Sequence, residues 1–312
     1  MLSLGVVQRL NLTAMFGPTI DRLLLKPFCH ARNRRTEQEL EVDFRTYALD
    51  FSAAEEKVRK FERRFGGHFI IDPNASYLDV GCGRGELACA LALLGAGEVA
   101  GLDITPRSIN ASRESWNLTR QALARSGKQA GHDASFFVGD AATWLPPKRY
   151  DYVISNEALE HINDPGGFLV NLKRLAKPHG KICIGFGPLF YSMYGDHLDE
   201  FFRVQIPWRG ALFSEQALLS LREEFFRPGD FVERFEDVVG GLNKMRYRDF
   251  LNDVKNGGLQ IQFLSHNPQF SEKSYLRPIA PANRLLCSLP LIRNYWIMSV
   301  YAVLSAEAAA FQ

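Results

Sequence analysis

The sequence predicts an α/β protein organised around a doubly wound, seven-stranded sheet. Three observations carry this expectation. From Ser76 onward, short apolar runs alternate with longer stretches of helical periodicity, the pattern of β-α-β units and a parallel sheet. Three glycines, Gly81, Gly83 and Gly85, directly follow the first apolar run, so the chain can turn tightly from strand into helix. Seven strand candidates can be read along the 312 residues, which exceeds a lone small module and suits one large domain with additions.

The 46% hydrophobic and 23% charged residues belong to a chain that buries a core rather than a disordered one. Lys and Arg number 37 against 35 Asp and Glu, a balance that argues against covering a phosphate backbone as the main task. Five cysteines, Cys29, Cys82, Cys89, Cys183 and Cys287, are scattered without a CxxC pair. That spacing argues against a disulfide framework and a cysteine zinc site and fits a reducing cytoplasm. No run approaches about 18 consecutive apolar residues, and the first residues lack the basic and apolar regions of a secretory signal. A soluble, cytoplasmic chain without a cleaved leader is therefore expected, and a homo-oligomer is compatible with it.

Residues 1–72 read as a helical lead-in. Glu37 to Phe65 spaces Phe, Tyr, Val and Leu among charges at helical intervals, which suits an amphipathic pair packed on a neighbouring core or a lid over a substrate. The LLLKPF run from Leu23 to Phe28 is the local hint of membrane affinity. Residues 73–187 form the expected core. Tyr77–Val80 is the first strand, and the helix after the glycines carries Leu87, Leu91 and Leu94 before Gly95 and Gly97 stop it. Val99–Ile104 is the second strand. Pro106 suits the first turn of a helix reaching about Ser126, with Thr105 as N-cap. Ser135–Val138, Tyr150–Ser155 and Lys181–Phe186 supply strands three to five, with a helix around Phe168–Ala176.

Residues 188–245 are dense in aromatics and break the alternation, so they read as an insertion after the fifth strand. Residues 246–312 return to the sheet through strands at Leu259–Leu264 and Ile297–Leu304, with helical stretches around Tyr247–Lys255 and Arg284–Ile292.

The glycine loop alone does not choose a ligand, because Gly83-x-Gly85-x-x-Ala88 also fits a dinucleotide fingerprint. Its acidic surroundings discriminate. Asp79 sits two residues before Gly81, where a carboxylate favours a cationic amino-acid moiety over a pyrophosphate. Asp103 ends the second strand and can accept from ribose hydroxyls. Asp140 follows the third strand and could accept from an adenine amino group, with Ala141 as a backbone donor.

The ordered set LDVGCGRGELA, GLDIT, GDAATWLP, YDYVISNEALEHINDP and GKICIGF resembles the class I S-adenosylmethionine-dependent methyltransferases, over residues 76–187. The resemblance implies their Rossmann-like sheet and S-adenosylmethionine as cofactor. It implies that Gly81, Gly83 and Gly85 line the methionine side, Asp103 the ribose, Asp140 the adenine and Asn156 the floor near the sulfonium, with Asp79, Cys82, Ile104 and Ala141 among the other cofactor-binding residues.

Glu157, Glu160 and His161 follow the fourth strand. At roughly 100° per residue they share an arc of about 100° on a helical turn, and two carboxylates with an imidazole suit Mg²⁺, Mn²⁺ or Zn²⁺. The segment is similar to the ubiquinone-pathway O-methyltransferases and the small-RNA 2′-O-methyltransferases, which bind a cation through Glu-x-x-Glu-His. The second family adds a downstream histidine, for which this chain offers His197. Related small-molecule methyltransferases keep Leu-Glu-His-x-x-Asp-Pro without metal, and there Glu160 and His161 shape the pocket while His161 or His197 serves as base. The Tyr191–Leu198 stretch with Trp208 resembles a substrate-side cap in bacterial methyltransferases, making Tyr191, Tyr194 and Trp208 candidate walls for the acceptor.

The leading expectation is methyl transfer to a hydroxyl of a small biosynthetic acceptor, such as a quinone, saccharide or secondary metabolite, with or without metal. A metal-free C- or N-methyltransferase is the nearest alternative. An RNA 2′-O-methyltransferase would need a basic groove, and Arg32, Arg34 and Arg35 form the one tight cluster. An NAD(P)-dependent oxidoreductase and a non-catalytic cofactor-binding partner complete the alternatives.

Overall fold

The computed structural model describes residues 17–31, 45–229, 231–238 and 241–306. The arginine cluster at Arg32, Arg34 and Arg35, and residues 37–44 of the expected N-terminal helix, lie outside them. Five parallel strands come first: β1 (Ser76–Val80), β2 (Glu98–Asp103), β3 (Ala134–Val138), β4 (Tyr150–Asn156) and β5 (Ala176–Phe186). β6 (Gln260–His266) and β7 (Val300–Ser305) complete a seven-stranded sheet in the order β3-β2-β1-β4-β5-β7-β6. β7 slots between β5 and β6 and runs antiparallel to both. The order reverses between β1 and β4, and doubly wound sheets bind ligands at the strand ends beside that reversal.

Local chemistry explains the elements around the sheet. α1 (Pro18–Leu25) opens the described chain and is followed by α2 (Phe51–Arg64). Asp50 caps α2 by accepting from the Ala53 N–H at 2.8 Å, and the helix buries Ala54, Val58 and Phe61. Phe61 meets Phe69 edge-on, Phe65 meets Tyr301, and Phe69 meets Tyr77 and Tyr152 of the sheet, which stack on each other. Each fully buried aromatic of this kind stabilises by about 1.5–3 kcal/mol. α3 (Glu86–Leu93) is buried at every residue after Glu86, as expected of an Ala/Leu helix lying between α2 and the sheet. α4 (Pro106–Arg125) starts with Pro106 in its first turn, but Thr105 makes no side-chain cap bond. α5 (Pro165–Leu175) begins three residues before the expected Phe168, because Asp164 caps it through the Gly167 N–H at 2.9 Å and Pro165 fits the first turn.

The aromatic insertion is a small structure of its own. α6 (Arg209–Leu212) and α7 (Glu215–Phe225) enclose a separate apolar core containing Phe190, Phe201, Phe202, Leu218, Leu221 and Phe235. Leu25 of α1 belongs to that core. The Asp21 carboxylate accepts from the Ser214 N–H at 2.7 Å, and Cys29 bridges to Phe202. Within the described part of the first 72 residues, α1 therefore completes the cap, whereas α2 packs on α3. Past the cap, α8 (Tyr247–Asn256) leads into β6, and α9 (Gln269–Glu272), α10 (Ala280–Ser288) and α11 (Arg293–Trp296) bridge to β7. All five cysteines are free.

Candidate functional site

At the carboxyl end of β1 the chain must leave the sheet and enter α3 within a few residues. Gly81, Gly83 and Gly85 do this with φ of 74°, 52° and 72°, the left-handed region that glycine adopts without a Cβ penalty. A Cβ at Gly83 would meet nothing within 4 Å, whereas one at Gly81 or Gly85 would strike Ala158 or Phe136 and Ser112. The loop thus leaves open space over Gly83 and is tightly backed elsewhere. Asp103 braces it: one carboxylate oxygen accepts from the Gly83 N–H at 2.9 Å and the other from the Thr105 N–H at 2.8 Å. A carboxylate offers about four acceptor sites, so lone pairs remain for a ligand. Ile104, next in sequence, is 66% exposed and offers a flat apolar surface beside that carboxylate.

Asp79 is 4% exposed, and burial pushes its carboxyl up to about 7. Lys57 opposes that shift from a distance, but its ammonium is paired with Glu86. Burying a carboxylate without its own cation is costly, which makes this a place for a ligand's positive group. Cys82 is buried at the loop. Asp140 is exposed and caps its own turn through the Ala142 N–H at 2.8 Å, with Ala141 half-buried beside it. Asn156 ends β4, and its buried side-chain oxygen has no partner.

The segment after β4 departs from the expected helical turn. Glu157 takes φ of 55°, and only Leu159–His161 form a single 3₁₀ turn before Ile162 becomes extended. The two carboxylates and the imidazole consequently diverge. Glu157 is exposed and lies in the electrostatic neighbourhood of Arg64 and Tyr301. Glu160 turns inward: one oxygen accepts from the Gly187 N–H at 3.1 Å, and the other is buried without a partner. Burial pushes its carboxyl up to about 7. His161 places Nδ1 2.6 Å from the Gly241 carbonyl. A carbonyl only accepts, so Nδ1 carries the proton, which leaves Nε2 as the nitrogen that can hold a lone pair.

His197 comes from the cap with φ of 55°, and its ring meets His161 edge-on at 5.8 Å between centroids. Crowding by neighbours, then the nearby His161, hold its pKa below the usual imidazole value, although solvent still reaches the ring. The two histidines line a cavity of about 250 Å³ with Leu198, Phe226, Phe235 and Leu242. Tyr191 is half-buried with Arg246 4.7 Å over its ring, and Tyr194 is half-buried nearby in the chain. Trp208 is committed elsewhere, its N–H donating to the Tyr295 carbonyl at 2.8 Å and its ring lying against Trp296. A larger concavity of about 620 Å³, beside Arg120 of α4 and Lys128 just past it, touches none of these residues, so volume alone does not mark the site.

Sequence reasoning missed the groups that fix His161. The Asn243 side chain donates to the carbonyls of Leu159 and Ile162 at 2.6 and 2.8 Å, and its backbone N–H donates to Glu160. It also missed Tyr47, whose hydroxyl donates to the Arg84 carbonyl beside the glycine loop. These partners lie far apart in sequence and belong to no motif that could have signalled them.

The residues fit S-adenosylmethionine. Asp79 supplies a buried carboxylate for an ammonium, Gly83 an open cradle, Asp103 remaining acceptor sites and Asn156 an unpaired oxygen. They do not fit the expected cation. Glu157, Glu160, His161 and His197 were expected as metal ligands, and among the described residues no group of three or more His, Cys, Asp or Glu could hold a metal ion. The physical reason is the 3₁₀ turn after a left-handed Glu157, which sends the carboxylates in different directions.

Comparison with known proteins agrees with the cofactor reading. Residues 71–187 match the family model described as a methyltransferase domain. The ubiquinone biosynthesis O-methyltransferase of Thiobacillus denitrificans is 36% identical over 103 residues, covering 33% of this chain and 40% of that protein. The enzyme of the same name from Vibrio atlanticus is 23% identical over 206 residues, covering 62% of this chain and 77% of that protein. The chain thus spans about two fifths of the length of the first of these relatives. Among solved structures, the PH0226 protein from Pyrococcus horikoshii shares the fold, with a TM-score of 0.50 at 18% identity, covering 84% of this chain and 95% of that one.

Proposed function

We infer, from a chain whose residues 71–187 are a class I S-adenosylmethionine-dependent methyltransferase domain, that this protein transfers a methyl group to a hydroxyl of a small molecule. The bound cofactor supplies an electrophilic methyl on a sulfonium. Asp79 would hold the cationic end of its methionine half, the glycine loop would pass close beneath it, and Asp103 would accept from the ribose. Asp140, Ala141 and Ile104 would border the adenine.

His161 is the proposed base. With Nδ1–H donated to Gly241, Nε2 presents the lone pair that can take a proton from an acceptor hydroxyl as it is methylated. Asn243 is a positioning residue, since it ties down the turn carrying His161. Holding the two reactants in line supplies much of the remaining acceleration. His197 keeps the neighbouring position uncharged, because its lowered pKa favours the neutral ring. No step runs through a metal.

The contact of His161 Nδ1 with the Gly241 carbonyl, which turns Nε2 toward the role of acceptor, is the observation that carries the hydroxyl reading. The relatives named for ubiquinone biosynthesis O-methylation support a phenolic acceptor, and Tyr191 and Tyr194 are proposed to border it. The test is S-adenosylhomocysteine formation with a panel of phenols and catechols. His161→Gln is expected to lower turnover by about 10²–10⁴-fold while leaving S-adenosylhomocysteine affinity unchanged. Undiminished turnover in that variant, or methylation of amines alone, would overturn the reading.

A further inference from the structure

The segment bridging β6 and β7 inverts the usual burial of a helix in a globular protein. The one buried residue of α10 is polar. Asn283 is 5% exposed, and its side-chain oxygen accepts from the Trp296 indole N–H at 2.9 Å and the Asn267 amide at 3.0 Å. Leu286 and Cys287 are half-buried, and the other large apolar side chain of the helix faces outward. Leu285 is 61% exposed, Leu291 just past the helix is 88% exposed, and Tyr275 before it is 71% exposed. Ile279, Leu289 and Ile292 extend the same surface. Scattered exposed apolar side chains are ordinary, but a helix that buries an asparagine and shows Leu285, within a run that also exposes Tyr275 and Leu291, implies a covering partner.

Charge identifies the partner's chemistry. From Lys273 to Ala306 there is no Asp or Glu, while Lys273, Arg277, Arg284 and Arg293 are present. This surplus of four cations exceeds the net +2 of the whole chain. A second copy of the same face would meet it cation to cation, because an isologous interface is self-complementary by symmetry. An acidic surface with an apolar interior has no such conflict, and apolar side chains interleaved with Lys and Arg are the composition that rests in a lipid interface. Among the described residues no helix is long and apolar enough to cross a membrane, so the segment would lie on the surface.

We propose that Lys273–Trp296 docks this protein on an anionic lipid surface, with Leu285 and Leu291 entering the acyl boundary and Arg277 and Arg284 meeting the headgroups. The inference does not depend on which acceptor is methylated. It is tested by flotation of the full chain with vesicles of phosphatidylcholine, with and without phosphatidylglycerol. The protein is expected to float with the anionic vesicles, less with the neutral ones, and less at high salt. Leu285→Asp with Leu291→Asp, and separately Arg277→Gln with Arg284→Gln, should each reduce bound protein by roughly tenfold or more. S-adenosylhomocysteine affinity and thermal unfolding should stay unchanged, which shows that the variants fold. Absence of flotation, or equal flotation of the variants, overturns the proposal. So does concentration-dependent dimerisation in light scattering that the leucine pair abolishes, since that assigns the face to a second copy.

Discussion

Asp79 couples the site to pH. Its carboxyl is raised by burial to about 7, so the free protein holds a proton there at pH 6 that the unfolded chain would have released. The sign follows from linkage: a raised folded pKa contributes stability that is present on the acid side and lost as pH rises toward 7. Glu160, also raised to about 7 by burial, acts in the same direction. An ammonium beside Asp79 favours the carboxylate, so cofactor binding should expel a proton below pH 7, and affinity should rise with pH up to that point and then level off. Calorimetry of S-adenosylhomocysteine at pH 6 in two buffers of different ionisation enthalpy should show proton release that disappears in Asp79→Asn. Identical heats in both buffers would contradict it. At this scale Asp79, the three glycines, Asp103 and His161 were legible in sequence, because each belongs to a short motif at a strand end. The Gly241 carbonyl and Asn243 were not, since nothing local links them to His161. The left-handed backbone of Glu157 was equally hidden, and it is what dissolves the expected ligand cluster.

Among the elements, the cap was legible only as an interruption. Its density of Phe and Tyr marked residues 188–245 as something other than sheet and helix repeats, but no local signal linked α1 to its core. That contact is long-range, through Leu25 and the Asp21–Ser214 bond. The cap is held from within by Arg209, 1% exposed, which makes a bidentate pair with Asp196 at 2.7 and 2.8 Å and reaches Asp199 at 2.5 Å. Its guanidinium also lies 4.4 Å over Phe202. Removing one partner strands a buried charge, so Arg209→Ala should destabilise the cap by about 3–5 kcal/mol. Chemical denaturation with limited proteolysis would register this as early cleavage within the cap, with the sheet still protected. A loss below about 1 kcal/mol, typical of a surface pair, would mean that Arg209 is not the anchor. The 3₁₀ turn also belongs to this scale: after the left-handed Glu157 the chain makes a single turn and is extended again at Ile162, before Asp164 caps α5.

The whole molecule divides its labour along one sheet. The ends of β1, β2 and β4 present the glycine loop, Asp103 and the His161 turn, the cap brings His197 to face His161, and the β6–β7 bridge carries apolar and basic residues outward. The parallel half was readable because β-α-β units leave a strong periodic signature. The placement of β7 between β5 and β6 was not readable from periodicity, since register and strand order depend on partners distant in sequence. The proposed methyl transfer requires S-adenosylmethionine to bind between Asp79 and Asp103. It is tested most directly by calorimetric titration of S-adenosylhomocysteine into the full chain and into Asp103→Ala. Saturable binding at one site, weakened by at least about tenfold in the variant, the scale of a lost hydrogen bond to a charged group, is the predicted result. An absence of binding heat, or equal affinity in the variant, would contradict it.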